Sequence, residues 1–148
     1  DLPNGACVFV DFAHTPSALR SVLGVIRKLS GDERRVISMF GHGGGRYQQN
    51  RPELGRAASE FADEVFITSD NAREEDPYEI AHAIAGGVSI PYRVNVDRPQ
   101  AVATALDDLK PGDILVITGK GPERFITIKD KKIPFNDAEA VKSWRDSH

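Results

Sequence analysis

EVFITSDNAREEDPYE, residues 64–79, changes from the pattern of a buried β-strand to that of an α-helix. Val65–Thr68 is a short apolar run of residues that favour strands, and Pro77 is typical of a first helical turn. The polar segment Ser69–Asp76 must therefore lie where a strand turns into a helix. In open α/β sheets, ligands bind at this position, outside the carboxyl ends of the strands. The segment thus predicts both the fold class and the place of a binding site.

This turn carries a carboxylate, an amide and a guanidinium, at Asp70, Asn71 and Arg73. The three groups suit a zwitterion, because an arginine can form a forked pair with a carboxylate while Asp70 accepts hydrogen bonds from an ammonium. An Asx-type turn with solvated charges explains the same residues without a ligand. Both interpretations stand for this loop taken alone.

The change from strand to helix recurs along the chain. Apolar strand patterns cover Cys7–Phe12, Arg35–Phe40, Val65–Thr68, Tyr92–Val96 and Ile114–Thr118. Helical patterns begin near Pro16, Pro52, Pro77 and Pro99. The C-terminal part is typical of a small hairpin followed by a helix, with strands at Phe125–Ile128 and Ile133–Phe135 and an N-cap at Asn136.

Strands that alternate with helices predict an α/β fold of the Rossmann-like type. We expect a mostly parallel sheet with helices on both faces and an antiparallel edge or hairpin near the C-terminus. A chain of 148 residues, of which 40% are hydrophobic, can bury one core. We therefore expect a single domain that covers residues 1–148.

Composition excludes several classes of partner. The 19 Lys and Arg residues against 22 Asp and Glu leave a net charge of −3, and no basic run occurs, so a nucleic-acid surface is not expected. No apolar run approaches the roughly 20 residues that span a bilayer, and the first residues, DLPNG, lack the pattern of a signal peptide. The single Cys7 allows no internal disulfide. These features favour a cytoplasmic protein without a membrane partner.

Four loops follow strands and should meet at one edge of a parallel sheet, namely Asp11–His14, Gly41–Arg46, Asp70–Arg73 and Gly119–Glu123. Neither glycine-rich loop has the full spacing of a dinucleotide or phosphate loop. His14 precedes a helix start, where a neutral imidazole could donate to a ligand or serve as a local cap. His42 is interpreted as positional, and no metal site is expected. Glu123 could hold an ammonium or be a surface carboxylate.

Taken together, these loops resemble those of a known family. VDFAHTPSAL, residues 10–19, is similar to the VDYAHTPDAL motif that opens the C-terminal domain of Mur ligases, the ATP-dependent enzymes that add amino acids to the peptidoglycan precursor. FGHGGGR at 40–46 resembles their FGxGGDR loop, DNAR at 70–73 the DNPR of the branch that adds meso-diaminopimelate, and GKGPE at 119–123 their GKGHE. The order and approximate spacing of the motifs hold over nearly the whole chain.

The resemblance implies roles for particular residues. Asp11 would contact the ATP ribose, and His14 would lie near the nucleotide. The incoming amino acid would be surrounded by Arg46, Asp70, Asn71, Arg73, Gly119 and Glu123, with Arg73 on a carboxylate. None of these residues is expected to be catalytic in the chemical sense.

It also implies what lies outside this chain. ATP and Mg2+ would be bound mainly by a central ATPase domain, and a UDP-sugar site would belong to an N-terminal domain, so we expect the chain by itself to be inactive. Its partners would be those domains, a UDP-N-acetylmuramoyl dipeptide, and diaminopimelate or lysine. Phe12, Gly45, Ala72 and Pro122 depart from the motifs, which leaves the amino acid open. A different hypothesis is a non-catalytic Rossmann-like module that binds a nucleotide or an amino acid.

Overall fold

The computed structural model describes residues Asp1 to His148, and its central feature is a sheet of five parallel strands. These are β1 (Cys7–Val10), β2 (Val36–Phe40), β3 (Glu64–Ile67), β4 (Tyr92–Val94) and β5 (Ile114–Ile117). Their spatial order is β1-β5-β2-β3-β4, so the last strand of the sheet lies between the first two. The predicted Rossmann-like fold is confirmed.

Five helices connect and cover the strands. They are α1 (Pro16–Ser30), α2 (Asn50–Phe61), α3 (Pro77–Ala85), α4 (Arg98–Asp108) and α5 (Asp137–Ser147). Four of them begin after a residue whose side chain accepts a hydrogen bond from a backbone N–H of the first turn, namely Thr15, Asp76, Asp97 and Asn136. No helix is both long enough and apolar enough to cross a membrane.

Helix α2 begins at Asn50, two residues before the predicted start at Pro52, and Gln49 provides no side-chain cap. The reason is local. Asn50 and Arg51 donate backbone hydrogen bonds to the carbonyls of Tyr47 and Gln48, so the preceding turn leads directly into the helix. Such tight turns are frequent at helix ends.

The sheet separates two apolar cores because side chains alternate along each strand. On one face, Val36, Val65 and Val116 pack against α1, α2 and α3. On the other face, Ile37 and Leu115 pack against α4, with Val141 and Trp144 of α5 partly buried beside them. Helices therefore cover both faces, as predicted.

The C-terminal hairpin, β6 (Phe125–Ile128) and β7 (Lys131–Pro134), forms a two-stranded antiparallel sheet of its own and is not an edge of the central sheet. It contacts the segment after β3 through backbone hydrogen bonds. Arg73 N donates to Thr127 O over 3.2 Å, and Lys129 N donates to Arg73 O over 2.8 Å. The hairpin thus packs beside the loop that the sequence marks as a binding site.

Candidate functional site

A cleft of about 440 Å³ opens at the carboxyl ends of the central strands. Seven of the eight residues predicted to bind a ligand line it: His14, Arg46, Asp70, Asn71, Arg73, Gly119 and Glu123. Phe12, Thr15, His42, Tyr47 and Asn50 also contribute to its walls. The carboxyl ends of parallel strands meet at one edge, which is why loops far apart in sequence converge here.

Asp11 is the predicted residue that lies outside this cleft. Its carboxylate is exposed and accepts a hydrogen bond from Ala13 N over 2.8 Å. It lines a separate groove of about 510 Å³ between β1 and α1, beside Val10, Val22 and other largely apolar residues. The groove therefore runs along β1 and α1 and adjoins the cleft only at the end of β1, where Asp11 is followed by Phe12.

His14 lines the cleft, but its ring also makes a local contact. Nδ1 lies 3.1 Å from the carbonyl oxygen of Phe12, and the two rings meet edge to face at 5.2 Å. A carbonyl accepts hydrogen bonds only, so this contact requires a proton on Nδ1. In its neutral form the ring then offers the cleft an acceptor at Nε2, whereas the sequence had suggested a donor.

The glycine-rich loop packs directly on the loop after β3. Gly44 N donates to Asn71 O over 2.8 Å, and a Cβ atom at Gly44 would lie only 1.9 Å from the carbonyl oxygen of Ala72. A Cβ at Gly41 would lie 2.5 Å from Thr68 O. Only glycine permits this approach of two backbones. The glycines therefore allow the two loops that line the cleft to pack against each other.

Arg73 has a left-handed backbone, with φ of 54°, which is uncommon for a residue with a side chain. The hairpin contacts described above hold it in this conformation. Its NH1 donates to Gly44 O over 3.0 Å and lies 3.4 Å from Asn71 O, while Nε and NH2 have no partner in the protein. One part of the guanidinium is thus tied to the fold, and the rest is available to a ligand.

Lys120 was not identified from the sequence, yet it connects the two loops that carry most of the predicted site. It is only 1% exposed, and its Nζ donates to Asn71 Oδ1 over 2.9 Å and to Glu123 Oε1 over 3.1 Å. The Asp70 carboxylate lies 3.5 Å away. Because Lys120 already pairs with Glu123, that carboxylate is not a free surface charge. A lysine between two glycines gives no local signal of burial.

Arg51, Glu75 and His42 form a second group that sequence patterns did not reveal. Arg51 NH2 donates to Glu75 Oε2 over 2.7 Å, and Arg51 Nε donates to His42 Nδ1 over 3.2 Å. The hydrogen bonds from Arg51 and from the backbone of Gly45 lower the pKa of Glu75 from 4.5 to about 2. Burial, and then the charge of Arg51, lower the pKa of His42. This group supports the glycine-rich loop from the side of α2.

Behind the cleft, Arg98 and Asp137 form an ion pair whose side chains are 0% exposed. Two hydrogen bonds join them, of 2.9 and 2.7 Å. Arg98 also donates to the carbonyls of Ser69 and Thr118, over 2.9 and 3.2 Å. These carbonyls directly precede Asp70 and Gly119. The pair therefore connects the N-termini of α4 and α5 to the ends of β3 and β5.

The cleft thus combines cationic and anionic groups, and the loop Asp70–Arg73 carries one of each. Arg46 and Arg73 can bind carboxylates, while Asp70 and Glu123 can accept hydrogen bonds from an ammonium. The structure contains no group of three or more His, Cys, Asp or Glu side chains that could hold a metal ion. Such a site suits a small zwitterion that carries both carboxylate and ammonium groups.

Comparison with known proteins identifies the family to which this chain is similar. The profile of the Mur ligase, glutamate ligase domain matches residues 1–121. Two similar proteins are the UDP-N-acetylmuramoyl-L-alanyl-D-glutamate--2,6-diaminopimelate ligases of Aquifex aeolicus and Chlorobium phaeobacteroides, which are 44% and 43% identical over 137 residues. The matches cover 91% and 92% of this chain but only 28% and 27% of those proteins.

A solved structure of a UDP-N-acetylmuramoyl-L-alanyl-D-glutamate--2,6-diaminopimelate ligase superposes with a TM-score of 0.89 at 34% identity. The superposition covers 97% of this chain and 30% of that one. The chain therefore spans less than a third of the length of these relatives. The agreement of profile, sequence and structure shows that this chain belongs to the Mur ligase family and corresponds to its C-terminal, glutamate ligase domain.

Proposed function

We propose that the chain, residues 1–148, is the amino-acid-binding domain of an ATP-dependent ligase of peptidoglycan precursor synthesis. The observation that carries the proposal is the gathering of seven predicted residues, from four loops, in one cleft. The names of the relatives reported above describe them as 2,6-diaminopimelate ligases. Diaminopimelate is the amino acid that we propose for this cleft, in preference to lysine.

In this proposal the two ends of the amino acid are bound by opposite charges. The free Nε and NH2 of Arg73 form a forked pair with a carboxylate, and Asp70 and Glu123 accept hydrogen bonds from an ammonium. In the reaction, ATP phosphorylates the carboxyl of the acceptor dipeptide. The free amine of the amino acid then attacks the acyl phosphate, an amide bond forms, and phosphate leaves. The domain contributes by orienting the nucleophile.

The remaining parts of the reaction would fall to regions of the relatives that this chain does not cover. A central ATPase domain would bind most of ATP and Mg2+, and an N-terminal domain would bind the UDP-N-acetylmuramoyl dipeptide. Asp11 fits a nucleotide contact, because it is exposed and one of its oxygens is free of protein partners. His14 would complete this contact when the domain closes on ATP. We propose that the chain by itself has no ligase activity.

Arg73 provides the test. Replacing it with Lys or Ala in the complete ligase should cost about 2–5 kcal/mol of binding free energy, because a desolvated carboxylate loses its forked partner. This corresponds to a loss of at least about 30-fold in kcat/KM for diaminopimelate. Lysine lacks the second carboxylate and should lose much less. Arg124→Ala is a matched control, since Arg124 is an exposed arginine that pairs with Glu139 on the surface.

The measurement is steady-state kinetics with both amino acids, together with a thermal unfolding curve of each variant. Equal losses for the two amino acids would show that Arg73 does not read the second carboxylate. Amino-acid binding without any amino-acid-dependent phosphate release by the complete protein would favour the non-catalytic binding module instead.

A further inference from the structure

His42 is the only one of the four histidines that is buried, with 8% of its surface exposed, and it still contributes to the wall of the cleft. It is the second residue after β2 and the second residue of the glycine-rich loop. The adjacent Gly43 lies beside the guanidinium of Arg73, since a Cβ built at Gly43 would be 3.0 Å from Arg73 NH1. His42 and Arg73 therefore line the same cleft, and the residue after His42 contacts the Arg73 guanidinium.

The hydrogen bond from Arg51 decides which nitrogen of His42 carries the proton. Arg51 Nε lies 3.2 Å from His42 Nδ1, and a guanidinium can only donate hydrogen bonds. Nδ1 must therefore present its lone pair to Arg51. A neutral imidazole with a lone pair on Nδ1 carries its proton on Nε2. Nε2 makes no hydrogen bond to a protein atom in the structure.

The charges around the ring favour this neutral form. Burial disfavours a charged ring, and the positive charge of Arg51, from α2, acts in the same direction. The carboxylates of Asp70 and Glu75 and the carbonyl of Gly43 favour protonation but are outweighed, so the pKa of His42 is lowered. Glu75, which is paired with Arg51, is the smallest of these opposing effects. The ring thus remains a neutral donor at pH 7.

We propose that His42 is a specificity-determining residue of the cleft, whose Nε2–H donates a hydrogen bond to a carboxylate of the bound amino acid beside Arg73. The inference rests on the proposed function, which supplies the ligand class. An Nε2–H group can donate to a carboxylate but cannot accept from an ammonium, so His42 selects the acidic end of the ligand. Arg51 and Glu75 act as positioning residues that set the tautomer of the ring.

The first measurement is the protonation of His42 in the ligand-free chain. Two-bond 1H–15N correlation spectra of histidine-labelled protein distinguish the two neutral tautomers and the charged ring, and a His42→Ala variant assigns the signals. We expect a proton on Nε2 and a lone pair on Nδ1 at pH 7. Arg51→Met should remove this preference. A proton on Nδ1, or on both nitrogens, in the unmodified chain would overturn the proposal.

The second measurement adds diaminopimelate to the same sample. Backbone amide signals of Asn71, Arg73 and Gly119 report on occupancy of the cleft, and the Nε2 signal of His42 reports on the proposed bond. Shifts of both support the inference. Shifts of the amides without a shift of Nε2 would overturn it while the proposed function stands. No response of any cleft residue at tens of millimolar ligand would refute the proposed function, and the inference with it.

Two substitutions separate donation from packing. His42→Gln can accept from Arg51 with its amide oxygen and donate with its amide nitrogen, so it should bind diaminopimelate within about two-fold of the unmodified chain. His42→Leu can do neither and should weaken binding about three- to ten-fold. Equal binding by both variants would contradict the proposal. Because His42→Leu removes an acceptor from Arg51, a melting curve accompanies each titration, and the Nε2 measurement does not depend on either variant.

Discussion

The buried ion pair between Arg98 and Asp137 should be the most sensitive polar contact in this domain. Asp137→Asn keeps the shape of the side chain and removes its charge. Arg98 would then remain a cation at 0% exposure, with two carbonyls and a neutral amide in place of a carboxylate. Breaking a buried pair from one side leaves an uncompensated charge, which costs about 3–5 kcal/mol.

The expected cost is a large part of the stability of an ordinary domain, which is about 5–15 kcal/mol. For a chain of this size, each kcal/mol lowers the melting temperature by about 2–4 °C, so Asp137→Asn should lower it by about 6–20 °C. Replacing both partners with apolar residues, Arg98→Met with Asp137→Leu, should cost less than the two single changes added together. The carbonyls of Ser69 and Thr118 would still lose their donor, so some loss should remain.

The assay is urea unfolding of the single and double variants, analysed as a double-mutant cycle. Arg124 and Glu139 form a matched control, because their separation of 2.8 Å is nearly that of the buried pair, 2.7 Å, while their side chains are 69% and 62% exposed. Glu139→Gln should cost less than about 1 kcal/mol. If Asp137→Asn costs no more than Glu139→Gln, then burial does not govern the strength of this pair, and the reasoning is wrong.

Three further predictions concern the cleft and its neighbours. The pKa of Glu75, about 2 in the folded protein against an ordinary 4.5, means that its ion pair stabilises the fold above pH 4.5 and that this is lost as the pH falls toward 2. Since the side chain is 26% exposed, we expect this ion pair to contribute about 1–2 kcal/mol to the free energy of unfolding. When that free energy is measured as a function of pH, the contribution should be absent in Glu75→Gln. Lys120→Met should lower the free energy of unfolding by about 1–3 kcal/mol, because Glu123 Oε1 loses its donor and Asn71 Oδ1 keeps only the backbone N–H of Thr127; a smaller change would show that water replaces the ammonium. Asp11→Ala should raise the KM for ATP of the complete ligase with little change in the KM for the amino acid, because Asp11 lies outside the cleft, and the opposite pattern would exclude the proposed ribose contact.

Local interactions explain what could be predicted from the sequence alone. A cap such as Thr15 or Asp97 accepts its hydrogen bond from a backbone N–H only three residues away, so helix starts are visible in short segments. Apolar runs identify strands in the same way. Alternation of these elements implies a parallel sheet, and a parallel sheet brings the ends of its strands together. The meeting of the loops around Asp70 and Gly119 is therefore predictable from the order of strands and helices along the chain.

Tertiary structure decided which partner each buried charge has. Arg98 pairs with Asp137, Lys120 with Asn71, and Arg51 with Glu75, over separations of 39, 49 and 24 residues. It also decided that β5 lies between β1 and β2, that the hairpin forms a separate sheet, and that Asp11 lies outside the cleft. In the sequence, every arginine has the same donors as any other arginine, and every lysine has the same donors as any other lysine. Which acceptor it meets, and whether water is excluded there, depends on how distant segments pack, because the strength of a charged contact is set by distance and burial that no local pattern contains.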